Sequence, residues 1–202
     1  KVKVVDLLTL DITSDIETGD AANPSFIVSK WYRSVVLNSG AVADTLKDTT
    51  IIAIDNKDIL IPLANFMGSI EVGVNPNSAV WNYDLKILCK GIYDENNMVS
   101  NTESSLSKVD WNMELNWNVL LTNIYNAQNL ISNTSDTRYY FTADDGVYQM
   151  NNDGSGVTKK MNFTSDFIAA KTERYDLTDT TWANVNMLYM NNAVNNPNTI
   201  YK

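Results

Sequence analysis

The residue types that most often do chemistry near neutral pH are absent or scarce in this chain. Among its 202 residues there is no histidine, and the one cysteine is Cys89. Histidine is the usual general base and the commonest metal ligand. Ser-His and Cys-His nucleophile pairs are therefore impossible within the chain, as are zinc sites built on His or on several thiolates. Carboxylates remain at Glu71, Glu95, Glu103, Glu114 and Glu173, and two carboxylates suffice for glycoside hydrolysis. Glu114 lies between Trp111 and Trp117 in sequence. Strand alternation puts it on the face opposite both, so it reads as a solvated strand residue.

Binding chemistry is equally sparse. The eight glycines form no phosphate-cradling loop ahead of a helix. Asn151-Asn152-Asp153-Gly154-Ser155-Gly156 offers oxygen ligands of the calcium-binding kind. Asn162 stands where an acidic residue would close such a loop, so the segment reads as a β-turn. No catalytic, cofactor-binding or metal-binding residue is assigned. The chain is expected not to be an enzyme and to use no cofactor.

Aromatic residues supply the other candidates. Trp81, Tyr83, Trp111 and Trp117 share one parity and would form a sugar-stacking platform if their sheet face were open. Leu85, Ile87, Met113, Leu115 and Val119 share that face, which favours a core instead. Lys30-Trp31-Tyr32-Arg33 has the composition of an interface anchor. The sequons Asn133-Thr134-Ser135 and Asn162-Phe163-Thr164 are expected by chance in a chain so rich in Asn and Thr.

Bulk properties narrow the class. An apolar fraction of 44% suits a globular protein. The net charge is −9, and no basic cluster exceeds Lys159-Lys160, so sequence-specific nucleic-acid binding is not expected. No apolar run approaches the roughly 20 residues of a membrane-spanning helix. The chain starts Lys1-Val2-Lys3 without Met, which points to a protease-made end or to residues upstream.

The elements that must position these residues read as β. Val80 to Tyr93 and Val109 to Leu121 alternate apolar and polar residues, as strands do with one face on a core. The stretch from Asp94 to Lys108 is expected to be a long loop between them. Val2 to Ile12, Thr49 to Ile54, Ile59 to Leu63 and Ile70 to Val74 are shorter strand candidates, with a hairpin turn at Asp55-Asn56-Lys57-Asp58. Phe26 to Leu37 fits strand or helix. Leu120 to Ile131 is the best helix candidate, and Thr181 to Met190 a second. Arg138 to Phe163 reads as a three-strand meander with turns at Asp144-Asp145-Gly146 and at Asn152 to Gly156.

Within that meander, Tyr140-Phe141-Thr142 followed by Val147-Tyr148-Gln149-Met150-Asn151-Asn152-Asp153-Gly154-Ser155-Gly156 resembles one repeat of the TolB-type β-propellers. The resemblance covers about two dozen residues and occurs once, whereas a propeller needs several blades. It implies a hairpin of that type at this place.

These readings combine into a mainly β fold: an antiparallel β-sandwich or barrel-like domain with one or two short helices and extended termini. One domain is expected over 1–190, with a sub-boundary near 133, followed by a polar arm over 191–202. The expected function is a structural subunit of a large assembly, a tailed-bacteriophage virion protein of neck, tail or capsid, partnered by itself and by other subunits. The alternatives are an extracellular or cell-surface pilin or adhesin joined by strand donation, and a carbohydrate-binding module.

Overall fold

The computed structural model describes residues 1–6, 8–18, 23–39, 48–55, 65–96, 98–165, 168–178, 181–192 and 196–201. The fold is nearly all antiparallel β, and among the described residues no sheet closes into a barrel. By contacts the chain divides into two compact units, Lys1–Asn126 and Ala127–Lys202. The sequence suggests one domain over 1–190 with a sub-boundary near 133. The observed division falls a few residues earlier.

The described residues of the first unit form three sheets, a two-stranded hairpin and two four-stranded meanders. β1 (Val2–Val5) pairs with β2 (Ile12–Ile16). β3 (Pro24–Lys30), β4 (Arg33–Asn38), β5 (Thr50–Asp55) and β6 (Asn65–Glu71) form the second sheet in that order. β7 (Pro76–Trp81), β8 (Leu85–Cys89), β9 (Ser105–Val109) and β10 (Leu115–Leu120) form the third, with β10 at one edge. The main core lies between the second and third sheets. Val35, Leu37, Ile51 and Ala53 there meet Ala79, Trp81, Leu85, Ile87, Cys89 and Val109. On the far face of the second sheet, Val36, Ile52 and Ile54 pack with Ile16, Val2 and Val4 of the first hairpin. β4 and β5 are therefore apolar on both faces, which is why their sequences read as continuous aliphatic runs.

Two long alternating segments of the sequence prove to be hairpins. Trp81 pairs with Leu85 around the three residues 82–84, and Val109 pairs with Leu115 around the five residues 110–114. A loop with an odd number of residues preserves parity, so paired residues keep the same face and the alternation runs through the turn unmarked. Phe26 to Leu37 is likewise a hairpin, closed by the two residues Trp31-Tyr32. The expected long loop from 94 to 108 ends earlier, since Ser105–Val109 is β9; it carries one 3-10 turn at Met98–Ser100. Of the strand expected over 70–74 only residues 70–71 are strand, since β6 ends at Glu71 and residues 72–75 are irregular before β7 starts at Pro76. The strand candidate Ile59 to Leu63 and most of the turn before it lie outside the described residues.

Neither expected helix forms. Residues 121–127 are irregular and β11 (Gln128–Ser132) follows. Asn123, Asn126 and Asn129 all adopt left-handed φ, near +60°. Asparagine tolerates that region because its short side chain bonds locally. Each left-handed residue turns the chain, so that Leu121, Ile124, Ala127 and Leu130 become buried at intervals of three. That spacing imitates a helical face.

In the second unit β11, β12 (Arg138–Ala143), β13 (Gly146–Asn151) and β14 (Thr158–Met161) form a four-stranded meander. The three strands expected here are present, together with their turns. β15 (Ile168–Thr178), β16 (Thr181–Asn192) and β17 (Asn196–Tyr201) form the last sheet. The second helix candidate, Thr181 to Met190, is thus a strand. The polar arm expected over 191–202 is, for residues 196–201, a strand paired with β16. Val147, Ile168 and Met190 join the two sheets, flanked by Ile131, Tyr140, Phe163 and Leu188.

Candidate functional site

The most developed surface feature lies at one end of the sandwich in the first unit. The register aligns Trp81, Leu85, Val109 and Leu115 across four strands, so the turns 82–84 and 110–114 project from the same end. The 110–114 turn is tightly built. The Asp110 N–H donates to the Glu114 carbonyl (3.0 Å), and the Met113 N–H to the Asp110 carbonyl (3.1 Å). Asp110 Oδ1 accepts from the Glu114 N–H at 3.0 Å. Met113, at φ +66°, is turned back into the core. Trp111 is thereby held at the rim, half-buried.

Three aromatic rings converge on Trp111. Trp81 reaches it from the core at 6.0 Å between centroids. Trp31 and Tyr32, from the β3–β4 turn, meet it edge-on at 5.2 Å and 5.7 Å, with interplanar angles of 65° and 88°. The Arg33 guanidinium stacks 4.4 Å from the Trp111 centroid and donates through Nη1 to the Trp111 carbonyl. Arg33 Nε is buried without a partner, a cost that packing on the ring offsets. Lys30 Nζ lies 5.0 Å from the Trp31 ring centroid.

Trp31 itself is 77% exposed and has φ +53°. A bulky residue in the left-handed region is strained by roughly 1–3 kcal/mol, and such strain concentrates at functional sites. The turn therefore holds a large apolar ring in water on a backbone that resists it.

The sequence candidates separate in the structure. Lys30 to Arg33 does form the site. Trp81 is core and Trp111 bridges core and rim, whereas Tyr83 points outward from its turn, 84% exposed. Trp117 is half-buried beside the Lys86 ammonium, 5.8 Å away. The four rings, for which the sequence favoured a common core face over an open platform, thus share neither: Trp81 is buried and Tyr83 is exposed. Glu114 is exposed in a turn, not on a strand. Glu103 accepts the Asn123 N–H at 2.7 Å, and Glu71 and Glu95 are exposed. The side chain of Glu173 lies outside the described residues.

The Asn151–Gly156 oxygens are occupied locally. Asp153 Oδ1 accepts from the Ser155 N–H and Oγ (2.9 and 2.6 Å), and Asn151 Nδ2 donates to Ser155 Oγ at 2.9 Å. Among the described residues no group of three or more His, Cys, Asp or Glu is arranged to hold a metal ion. Asn133 of the first sequon is buried and caps its own hairpin, its Oδ1 accepting the Thr137 and Arg138 N–H groups at 2.9 and 3.0 Å. The sequence did not signal the buried Lys86. It sits opposite Lys108 on β9, and Asp84 bridges the two at 3.7 and 2.8 Å.

No family model matches the chain, and a search of curated proteins finds no match.

Proposed function

We propose that this chain is a non-enzymatic structural subunit of a large assembly, with a tailed-bacteriophage virion as its setting and neighbouring subunits as its partners. The observation that carries this reading is Trp31. A Trp held out on a strained turn, backed by Trp111, Tyr32 and Arg33, has the residue types and the rigid support of an interface hot spot. Other hairpin tips and sheet edges expose large apolar side chains too. The β1–β2 tip presents Leu8, Leu10 and Ile12, and β10 presents Leu115, Val119 and Leu120. Apolar groups grouped this way mark surfaces that a neighbour covers.

The same geometry disfavours a sugar platform. Sugar stacking uses flat ring faces, and here the rings pack against one another edge-on, with Lys30 over Trp31.

Light scattering and negative-stain microscopy at rising concentration test the reading. The wild-type chain is expected to form higher-order particles, and Trp31→Ala to shift the distribution toward smaller species with its fold intact. Equal assembly by Trp31→Ala and wild type would remove the hot-spot argument.

A further inference from the structure

β10 is an edge strand that lacks most of the usual protection. Its sequence, Leu115-Asn116-Trp117-Asn118-Val119-Leu120, holds no charge and no proline, although the chain carries −9. Edge strands are normally blunted by Lys, Pro or bulges. One bulge is present, between Leu115 and Trp117, and beyond it the pairing with β9 is regular from Trp117 to Leu120. No described strand pairs with the outer side of β10. Leu121 N–H donates inward to the Ser104 carbonyl at 2.9 Å. Alternation then points the amides of Asn118 and Leu120 outward, ready to pair.

We infer that β10 is a self-association edge, and that two copies of this chain pair it antiparallel about a twofold axis at Asn118. This rests on the assembly reading and names one of its partners as a second copy. The strand is complementary to itself in that register. Trp117 of each copy faces Val119 of the other, an aromatic against a β-branched residue, which is a favourable cross-strand pair. Asn118 faces Asn118, each Oδ1 accepting from Ser107 Oγ of its own chain at 3.0 Å. The nearest charge, Glu114, falls opposite Thr122, so no like charges oppose. A groove of about 280 Å³ lined by Val72–Val74, Glu103, Asn118 and Leu120 receives the copy's Asn116, which falls opposite Leu120. The result is one continuous sheet with a closed, isologous interface.

Cross-linking and sedimentation test this directly. Facing residues of a hydrogen-bonded antiparallel pair are about 5.5 Å apart at Cα, within disulfide reach. Asn118→Cys is expected to form a disulfide-linked dimer on mild oxidation. Asn96→Cys, exposed in the loop before β9, is expected not to, and Cys89 is buried and silent. Leu120→Lys, at a site 61% exposed, is expected to shift sedimentation velocity toward smaller species than the wild type while the chain still unfolds cooperatively. If Leu120→Lys associates as wild type does, or if both cysteine variants cross-link alike, β10 is not the interface while the assembly reading stands. If the wild-type chain never associates, both fail.

Discussion

Single side chains show how burial and neighbouring charges set the reactivity of the ionisable groups. Cys89 is fully buried. Burial pushes its thiol up to about 12, against the smaller opposing effect of hydrogen bonds from Ser107, Ser105 and the Gly73 backbone. Only the thiolate reacts. A thiol reagent at pH 8 is therefore expected to leave native Cys89 unlabelled and to label it once denaturant is added; rapid native labelling would contradict its placement. Asp84 shows a different balance. Partial burial alone would raise its carboxyl, but the hydrogen bond from Lys108 and the charge of Lys86 outweigh that and hold it below the usual carboxylate range. A folded value below the unfolded one gives stability that is full above about pH 4 and lost as pH falls through the folded value. Asp84→Asn also leaves the Lys86 ammonium buried without that carboxylate. We expect a loss of about 1–3 kcal/mol near neutral pH, and a shallower acid limb than wild type in chemical denaturation. Parallel acid limbs would contradict this assignment. Lys30 to Arg33 stood out in sequence because Trp, Tyr and Arg are hot-spot types; their clustering on Trp111 of another hairpin was not visible there. The Asp84–Lys86–Lys108 cluster was not, because a charged residue at an alternating strand position looks solvated unless burial on both faces is known.

At the scale of elements, strand character was legible where β-branched and aromatic residues alternate, but strand ends were not. Trp81 to Leu85 and Val109 to Leu115 keep parity through their turns, so one period-two pattern spans two strands. The false helix at Leu120 to Ile131 has a similar origin. Left-handed Asn123, Asn126 and Asn129 bury every third residue, and a period of three is close to the helical one. Turn chemistry that needs a particular residue is firmer evidence. Gly91, just past β8, has φ +75°, and a Cβ there would stand 2.5 Å from the Thr102 carbonyl. Gly91→Ala is expected to destabilise by about 1–3 kcal/mol through strain and overpacking. Unfolding in urea checks this, and an unchanged midpoint would mean that the 90–104 loop relaxes freely.

At the scale of the whole molecule, the mainly β class was legible from composition and alternation; the sequence suggested a sub-boundary near 133, and the contacts divide the chain at 126–127. No Pro/Gly/Ser linker marks the change at 126–127; the boundary falls inside the Asn-punctuated segment that resembles a helix. Each unit has its own apolar cluster, Val35, Leu85, Ile87 and neighbours in the first and Val147, Ile168 and Met190 in the second. A fragment covering 1–126 is therefore expected to fold alone, with dispersed amide resonances and a cooperative melt. A collapsed spectrum would show that the first unit depends on the second. The functional reading lives at this scale as well, since apolar hairpin tips, an unprotected edge strand and an exposed Trp gain a purpose only when something covers them. Sedimentation velocity of the wild-type chain over a wide concentration range tests that claim most directly. The account predicts a sedimentation coefficient that rises with concentration as copies associate. A single sharp monomer at every concentration would contradict it.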